Sequence, residues 1–193
     1  CPNAYFLNYT NPMAQLAGYL GRYTPIKSVG LCHSVQGCSR NLLKDLGIEY
    51  KEPLRESIAG INHMGWLLEL EDADGNDLYP EIRERAIAIL ESGKTDHHDL
   101  VRYEYIRRLG YYCTESSEHN AEYNNFFIKA KYPELIERYN IPLDEYPRRC
   151  INQIENWKKD REKYMHDDVT HTRTTEYASY IMEAIVTDIP YKI

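Results

Sequence analysis

Two short apolar strands, each followed at once by an amphipathic helix, open this chain and restrict its fold more than any other feature. Residues 4–9 (AYFLNY) set apolar and aromatic side chains close together, the pattern of a short buried strand. Thr10-Asn11-Pro12 then reads as a helix start, a polar cap with proline at the first helical position. Met13, Leu16, Ala17 and Leu20 give that helix an apolar stripe at helical spacing. Residues 26–32 (IKSVGLC) predict a second strand, and 36–46 a second helix with Leu42, Leu43 and Leu46 facing inward. Strand, helix, strand, helix with short links is the rhythm of a mostly parallel sheet, so this part is expected to be α/β.

Downstream the rhythm changes. Residues 58–71 (IAGINHMGWLLELE) read as one strand or extended segment, and 72–76 as a turn of hairpin character. Helices are expected over 80–90, 99–109, 133–139, 142–163 and 176–185, the fourth carrying Cys150, Ile154 and Trp157 on one face. The expected fold class is therefore α/β passing into α+β, with a soft domain boundary at 50–60.

Composition narrows the function classes. A length of 193 residues suffices for one domain with a real core, or for one domain plus part of another. No run reaches the roughly 18 apolar residues of a membrane helix, so no membrane partner is expected. With 23 basic against 30 acidic side chains the net charge is −7, which gives no electrostatic footprint for nucleic acid. A small molecule or a protein is the expected partner. The cysteines (Cys1, Cys32, Cys38, Cys113, Cys150) are odd in number, widely spaced and without a CxxC pair. That pattern, with no signal peptide, points to a reducing, cytoplasmic compartment. The chain enters directly into a strand and closes on DIPYKI as though another were beginning, so it reads as a piece of a larger fold.

Four constellations could carry chemistry. Cys32-His33 ends a predicted parallel strand, the edge where ligands bind in open α/β sheets, and a small polar loop follows. Position alone favours a buried structural cysteine beside a surface histidine. His63, in Gly60-Ile61-Asn62-His63-Met64-Gly65-Trp66, lies inside an apolar run, where an imidazole needs a hydrogen-bond partner or a metal. Cys32 and His63 thus form a possible two-ligand metal corner. Glu115, Glu118, His119 and Glu122 crowd into eight positions; on a helix Glu118 would share a face with Glu122, and Glu115 with His119. That cluster could tune acid–base chemistry or be a solvated face behind a Thr114-x-x-Ser117 capping motif. Arg102-Tyr103-Glu104-Tyr105 lies on a predicted helix, but 18 tyrosines against 3 phenylalanines make tyrosine the default packing aromatic here.

Taken in order, NYTNPM (8–13), VGLCHSVQG (29–37), AGINHMGWLLEL (59–70), RYEYIRRLGYYCTESSEHNAEY (102–123) and PLDEYPRRC (142–150) closely resemble glycoside hydrolase family four, within it the α-galactosidase (melibiase) branch. The resemblance implies the end of a Rossmann-like NAD-binding domain over 1–55 and part of a lactate-dehydrogenase-like α+β domain over 56–193. It implies NAD and Mn2+ as cofactors, an α-galactoside substrate and a homo-oligomer at full length. The glycine-rich cofactor loop is expected before Cys1, so no cofactor-binding residue is named and the isolated piece is expected to be inactive.

The implied chemistry departs from the two-carboxylate glycosidase rule. NAD oxidises the sugar's C3 hydroxyl, the C2 proton becomes acidic and is removed, and the C1 aglycone leaves by elimination. Water then adds and the ketone is reduced again, with the metal acting as Lewis acid at the C2 and C3 oxygens. By position Cys32 and His63 match the metal ligands, and Asn11 matches the asparagine that holds substrate hydroxyls. Tyr103 is the best match for the proton-abstracting base, Tyr105 the second, with the metal or Arg102 as the cation that lowers its pKa. His33 stands where a sister branch has an aspartate acid, so His33 is expected to protonate the leaving oxygen, with Glu118 or His119 as alternatives. Competing readings are an α-galacturonidase or α-glucosidase on the same scaffold, a lactate- or malate-type dehydrogenase domain, and a non-catalytic oligomerisation surface.

Overall fold

In a computed structural model that describes residues 3–167 and 176–191, the opening rhythm folds as its pattern requires. β1 (Tyr5–Asn8) and β2 (Lys27–Gly30) pair in parallel, Leu7 opposite Val29 and Asn8 opposite Gly30. α1 (Met13–Tyr23) is the crossover that such pairing needs. Pro12 precedes this helix rather than occupying its first turn, and the polar partner at its start is Asn11, whose Oδ1 accepts from the Met13 N–H at 3.3 Å. α1 lies close on β2 at Gly30, where a methyl group would overlap the Met13 sulfur. α2 (Cys38–Leu46) is bounded by Gly37 at φ 74° and Gly47 at φ 66°, both left-handed positions suited to glycine.

The stretch expected as one strand is a hairpin. β3 (Arg55–Ile61) and β4 (Met64–Glu71) run antiparallel, and Ile61 faces Met64, which leaves Asn62-His63 as the turn. His63 takes the left-handed conformation (φ 63°) that glycine usually supplies in such turns. Apolar residues on both sides of an Asn-His pair, rather than Asn-Gly, hide the break. β4 also pairs with a strand that the sequence pattern does not reveal, β5 (Tyr112–Cys113), with Trp66 opposite Cys113. The expected turn at 72–76 is built on Asp72, whose carboxylate accepts from the Asp74 and Asn76 N–H groups at 3.0 Å each.

α3 (Tyr79–Glu91), α4 (Leu100–Leu109), α5 (Ser117–Tyr123) and α6 (Glu134–Arg138) complete a compact unit that extends to Pro142. Its main core joins Leu42 and Leu43 of α2, Leu67 and Leu70 of β4, Ile82 and Ala86 of α3, and Tyr103 and Ile106 of α4. Each large side chain there contributes roughly 1.5–3 kcal/mol of apolar transfer. A second cluster under α4 and α5 holds Val101, Tyr105, Cys113, Ala121 and Phe127. The two clusters fix the sheet edge from which the polar turns project.

The second unit, from Leu143 onward, contains α7 (Glu145–His166) and α8 (Ala178–Thr187). No residue of α7 is buried, and Ile154 and Trp157, on the expected apolar face, are 57% and 63% exposed. Among the described residues no helix is long and apolar enough to cross a membrane.

Candidate metal centre

Three turns converge because each continues a paired strand. The Leu31 N–H donates to the Asn8 carbonyl at 2.9 Å, which extends the β1–β2 pairing and delivers Cys32 just beyond it. His63 stands at the tip of the β3–β4 hairpin. The Thr114 N–H donates to the Gly65 carbonyl at 2.9 Å, which carries β5 one residue further and places Glu115 beside that tip. One ligand atom each from Cys32, His63 and Glu115 lie within 4.8 Å of one another.

The cluster is partly enclosed. The side chains of His63 and Glu115 are 14% and 16% exposed, with His63 Nε2 3.2 Å from Glu115 Oε2. The other ring nitrogen, Nδ1, lies 3.0 Å from the Tyr123 hydroxyl. Glu115 Oε1 accepts from the Ser116 N–H at 2.9 Å, and Ser34 Oγ is 3.3 Å from Cys32 Sγ. The three residues open into a cleft of about 420 Å3 that Tyr9, Asn11, His33 and Asn62 also line. Among the described residues the buried Asn62 Nδ2 has no hydrogen-bond partner, so a donor in this cleft is unsatisfied.

Cys32, His63, Asn11 and His33, four of the five residues expected from sequence, line this one cleft. The His33 ring stacks on Tyr9 with centroids 4.7 Å apart and planes 2° apart. Tyr103 is the exception. It is fully buried in the main core, its hydroxyl has no hydrogen-bond partner among the described residues, and burial, then the charges of Asp99 and Asp45, push its phenol far above the ordinary value. A base must ionise, and this environment opposes that. Arg102, expected as the cation that helps it, is instead paired with the buried Asp99. Tyr105 is also buried, with its phenol raised to about 12 mainly by desolvation.

The tyrosine that does reach the cluster is Tyr123. Its ring lies 5.6 Å from that of His63 with planes 9° apart. Burial first, then the carboxylates of Glu115 and Glu122, raise its phenol. The signal was present in sequence as His119-x-x-x-Tyr123, one helical turn whose rings meet at 5.5 Å. Glu115 does not share a helix face with His119, because it precedes α5. His119 Nδ1 sits instead 3.7 Å from Glu118 and 3.8 Å from Glu122. The cap of α5 is Ser116, which accepts from the His119 N–H at 3.2 Å, in place of the expected Thr114-x-x-Ser117 motif.

A thiolate, an imidazole and a carboxylate form a donor set that suits a divalent cation. Glu115 has no lysine or arginine partner among the described residues, so its charge is free for that use. The other mixed clusters fit less well. In Asp45-His98-Asp99 the third carboxylate is already taken by Arg102, Tyr112 and Ser117, and Glu118-His119-Glu122 includes an exposed carboxylate.

Comparison with known proteins gives a consistent result. Residues 1–48 match the sequence model of the family 4 glycosyl hydrolases, and residues 58–193 match that of the family 4 glycosyl hydrolase C-terminal domain. An alpha-galactosidase of Bacillus subtilis is 58% identical over 99% of this chain and 43% of its own length. An alpha-galacturonidase of Thermoanaerobacter italicus is 30% identical over 83% of this chain and 39% of its own length. Among solved structures, a 6-phospho-alpha-glucosidase from gut microorganisms in complex with NAD and Mn2+ superposes with a TM-score of 0.59 at 21% identity, covering 95% of this chain and 43% of that one. The chain thus spans less than half the length of the relatives it matches.

Proposed function

Since the chain belongs to glycosyl hydrolase family 4, we propose that the whole protein is an α-galactosidase that works with NAD and Mn2+, the metal held here by Cys32 and His63. The observation that carries this reading is the convergence of Cys32 and His63 in a cleft that Asn11 and His33 also line. Support for the substrate comes from the 58% identity to an alpha-galactosidase, and for the cofactors from a related fold solved with NAD and Mn2+. No Gly-x-Gly-x-x-Gly run occurs in the 193 residues, so no residue of this chain is assigned to the dinucleotide. When bound, NAD supplies reversible hydride exchange at the sugar's C3, and Mn2+ supplies Lewis acidity at the adjoining oxygens.

The chain's own residues do the rest. Asn11 and the unsatisfied Asn62 amide orient sugar hydroxyls in the cleft. Cys32 and His63 fix the cation. His33, stacked on Tyr9, serves in this reading as the acid that protonates the leaving oxygen. Tyr123 takes the proton role expected of Tyr103. Its phenol is raised by burial first and then by the carboxylates of Glu115 and Glu122, so it needs a positive charge nearby to ionise, and the donor cluster begins 3.0 Å away at His63. Tyr123→Phe in the full-length enzyme is expected to lower kcat about 10²–10⁴-fold, while Tyr103→Phe leaves it nearly unchanged. Steady-state kinetics compare the two, and a loss in Tyr103→Phe with Tyr123→Phe near wild type would return the role to Tyr103.

The full-length protein is further proposed to be a cytoplasmic homo-oligomer. The cysteines Cys32, Cys38, Cys113 and Cys150 are all free thiols, which suits a reducing compartment. A domain division near residue 55 is proposed from the two matched segments, which end at 48 and restart at 58. The test of the activity is an assay of the full-length protein on nitrophenyl α-galactoside, α-glucoside and α-galacturonide. Cleavage of the first is expected, dependent on Mn2+ and NAD, with no accumulation of NADH. Cleavage of the galacturonide alone would move the substrate, and net NADH production without a metal requirement would make the protein a dehydrogenase.

A further inference from the structure

We infer that Glu115 is a third protein ligand of the cation and sets its identity, which goes beyond the two-ligand reading above and rests on it. The geometry is that of donors prepared for an ion. His63 Nε2 and Glu115 Oε2 are 3.2 Å apart. Two donors at bonds of about 2.1 Å stand about 3.0 Å apart at a right angle and about 3.4 Å apart at the tetrahedral angle. The observed separation falls between these, so a cation can enter between the two atoms with little movement of either side chain. The third atom, from Cys32, lies within 4.8 Å of both, so a small inward movement of its side chain brings it onto the same ion.

The carboxylate is also pre-oriented. Glu115 Oε1 is held by the Ser116 N–H at 2.9 Å, which aims Oε2 at the imidazole. Ser116 in turn caps α5 by accepting from the His119 N–H at 3.2 Å, so the carboxylate stands on a helix start rather than on a free loop. No lysine or arginine among the described residues competes for it. The consequence is chemical. A thiolate and an imidazole alone are soft donors that suit Zn2+ and its neighbours, whereas an added carboxylate favours harder Mn2+. Glu115 therefore acts as the selectivity element.

The test is calorimetric titration of the full-length enzyme with Mn2+ and, separately, with Zn2+, in wild type, Glu115→Gln, Glu115→Asp and Cys32→Ser. Glu115→Gln is expected to weaken Mn2+ about 10–100-fold and Zn2+ much less, while Glu115→Asp, which keeps a carboxylate, retains most of the Mn2+ preference. Equal weakening of both ions by Gln would mean that Glu115 only orients His63, and the assignment would fall. Unchanged Mn2+ affinity in Glu115→Gln with loss in Cys32→Ser would also overturn it, yet leave the two-ligand centre standing. If Cys32→Ser keeps its affinity as well, the failure lies in the metal reading itself. Should the Gln variant not fold, Glu115→Ala takes its place: selective loss of Mn2+ sustains the inference, and equal weakening of both ions or unchanged Mn2+ affinity overturns it.

Discussion

Asp99→Ala is expected to destabilise the unit that ends at Pro142 by about 3–5 kcal/mol, the usual cost of breaking a buried ion pair from one side. Asp99 is fully buried, and its carboxylate pairs with Arg102 Nε and accepts from the Tyr112 hydroxyl at 2.7 Å and Ser117 Oγ at 2.8 Å. Arg102 lies with its guanidinium 4.3 Å from the centre of the Tyr112 ring and is 14% exposed. Removing the carboxylate strands a buried cation and leaves two hydroxyl groups without their acceptor. These partners sit on α4, β5 and α5, so the network also holds the segment that carries Glu115. Thermal or urea unfolding measures the effect, with a midpoint fall of roughly 6–20 °C at 2–4 °C per kcal/mol. A cost below about 1 kcal/mol would show that the network is not what fixes these elements.

The second large effect is on chemistry. In the intact enzyme, Cys32→Ala or His63→Ala is expected to lower kcat by on the order of 10³-fold or more. A bound cation contributes several kcal/mol of charge stabilisation in the transition state, and each 1.36 kcal/mol is tenfold in rate. Added Mn2+ should not restore the loss, because the thiolate and the imidazole come from different segments and alanine offers no donor in place of either. Cys38 is the control. It is the first residue of α2, buried, with its thiol pushed up to about 12 by desolvation, so it has no thiolate to offer near neutral pH. Cys38→Ala should therefore affect stability and leave the dependence of kcat on Mn2+ unchanged.

What the sequence shows and what it hides divide along physical lines. The first two strands and helices carry their own period, and Leu42, Leu43 and Leu46 are buried as that period requires. Cys32 and His63 could be paired from the resemblance and from the cost of burying an imidazole, and the fold brings them together. The hairpin at Asn62-His63 stayed hidden because a left-handed histidine in an apolar run gives no turn signal. β5 is two residues long and owes its strand state entirely to pairing with Trp66 and Leu67 of β4. Tyr103 misled for a related reason. In a chain with this much tyrosine, sequence cannot tell a phenol packed in the core from one at a cleft, and the one sequence mark of Tyr123, its spacing from His119, gains meaning from the contacts of both rings with His63.

The central claim is that one divalent cation joins the sulfur of Cys32 to the imidazole of His63. Co2+ titration of the full-length enzyme, followed by absorbance, addresses it most directly, since a metal-bound thiolate gives a charge-transfer band that oxygen and nitrogen donors do not. The account requires this band in wild type and in Cys38→Ser, its disappearance in Cys32→Ser, and much weaker cobalt binding in His63→Ala. A band that persists undiminished in Cys32→Ser would contradict it.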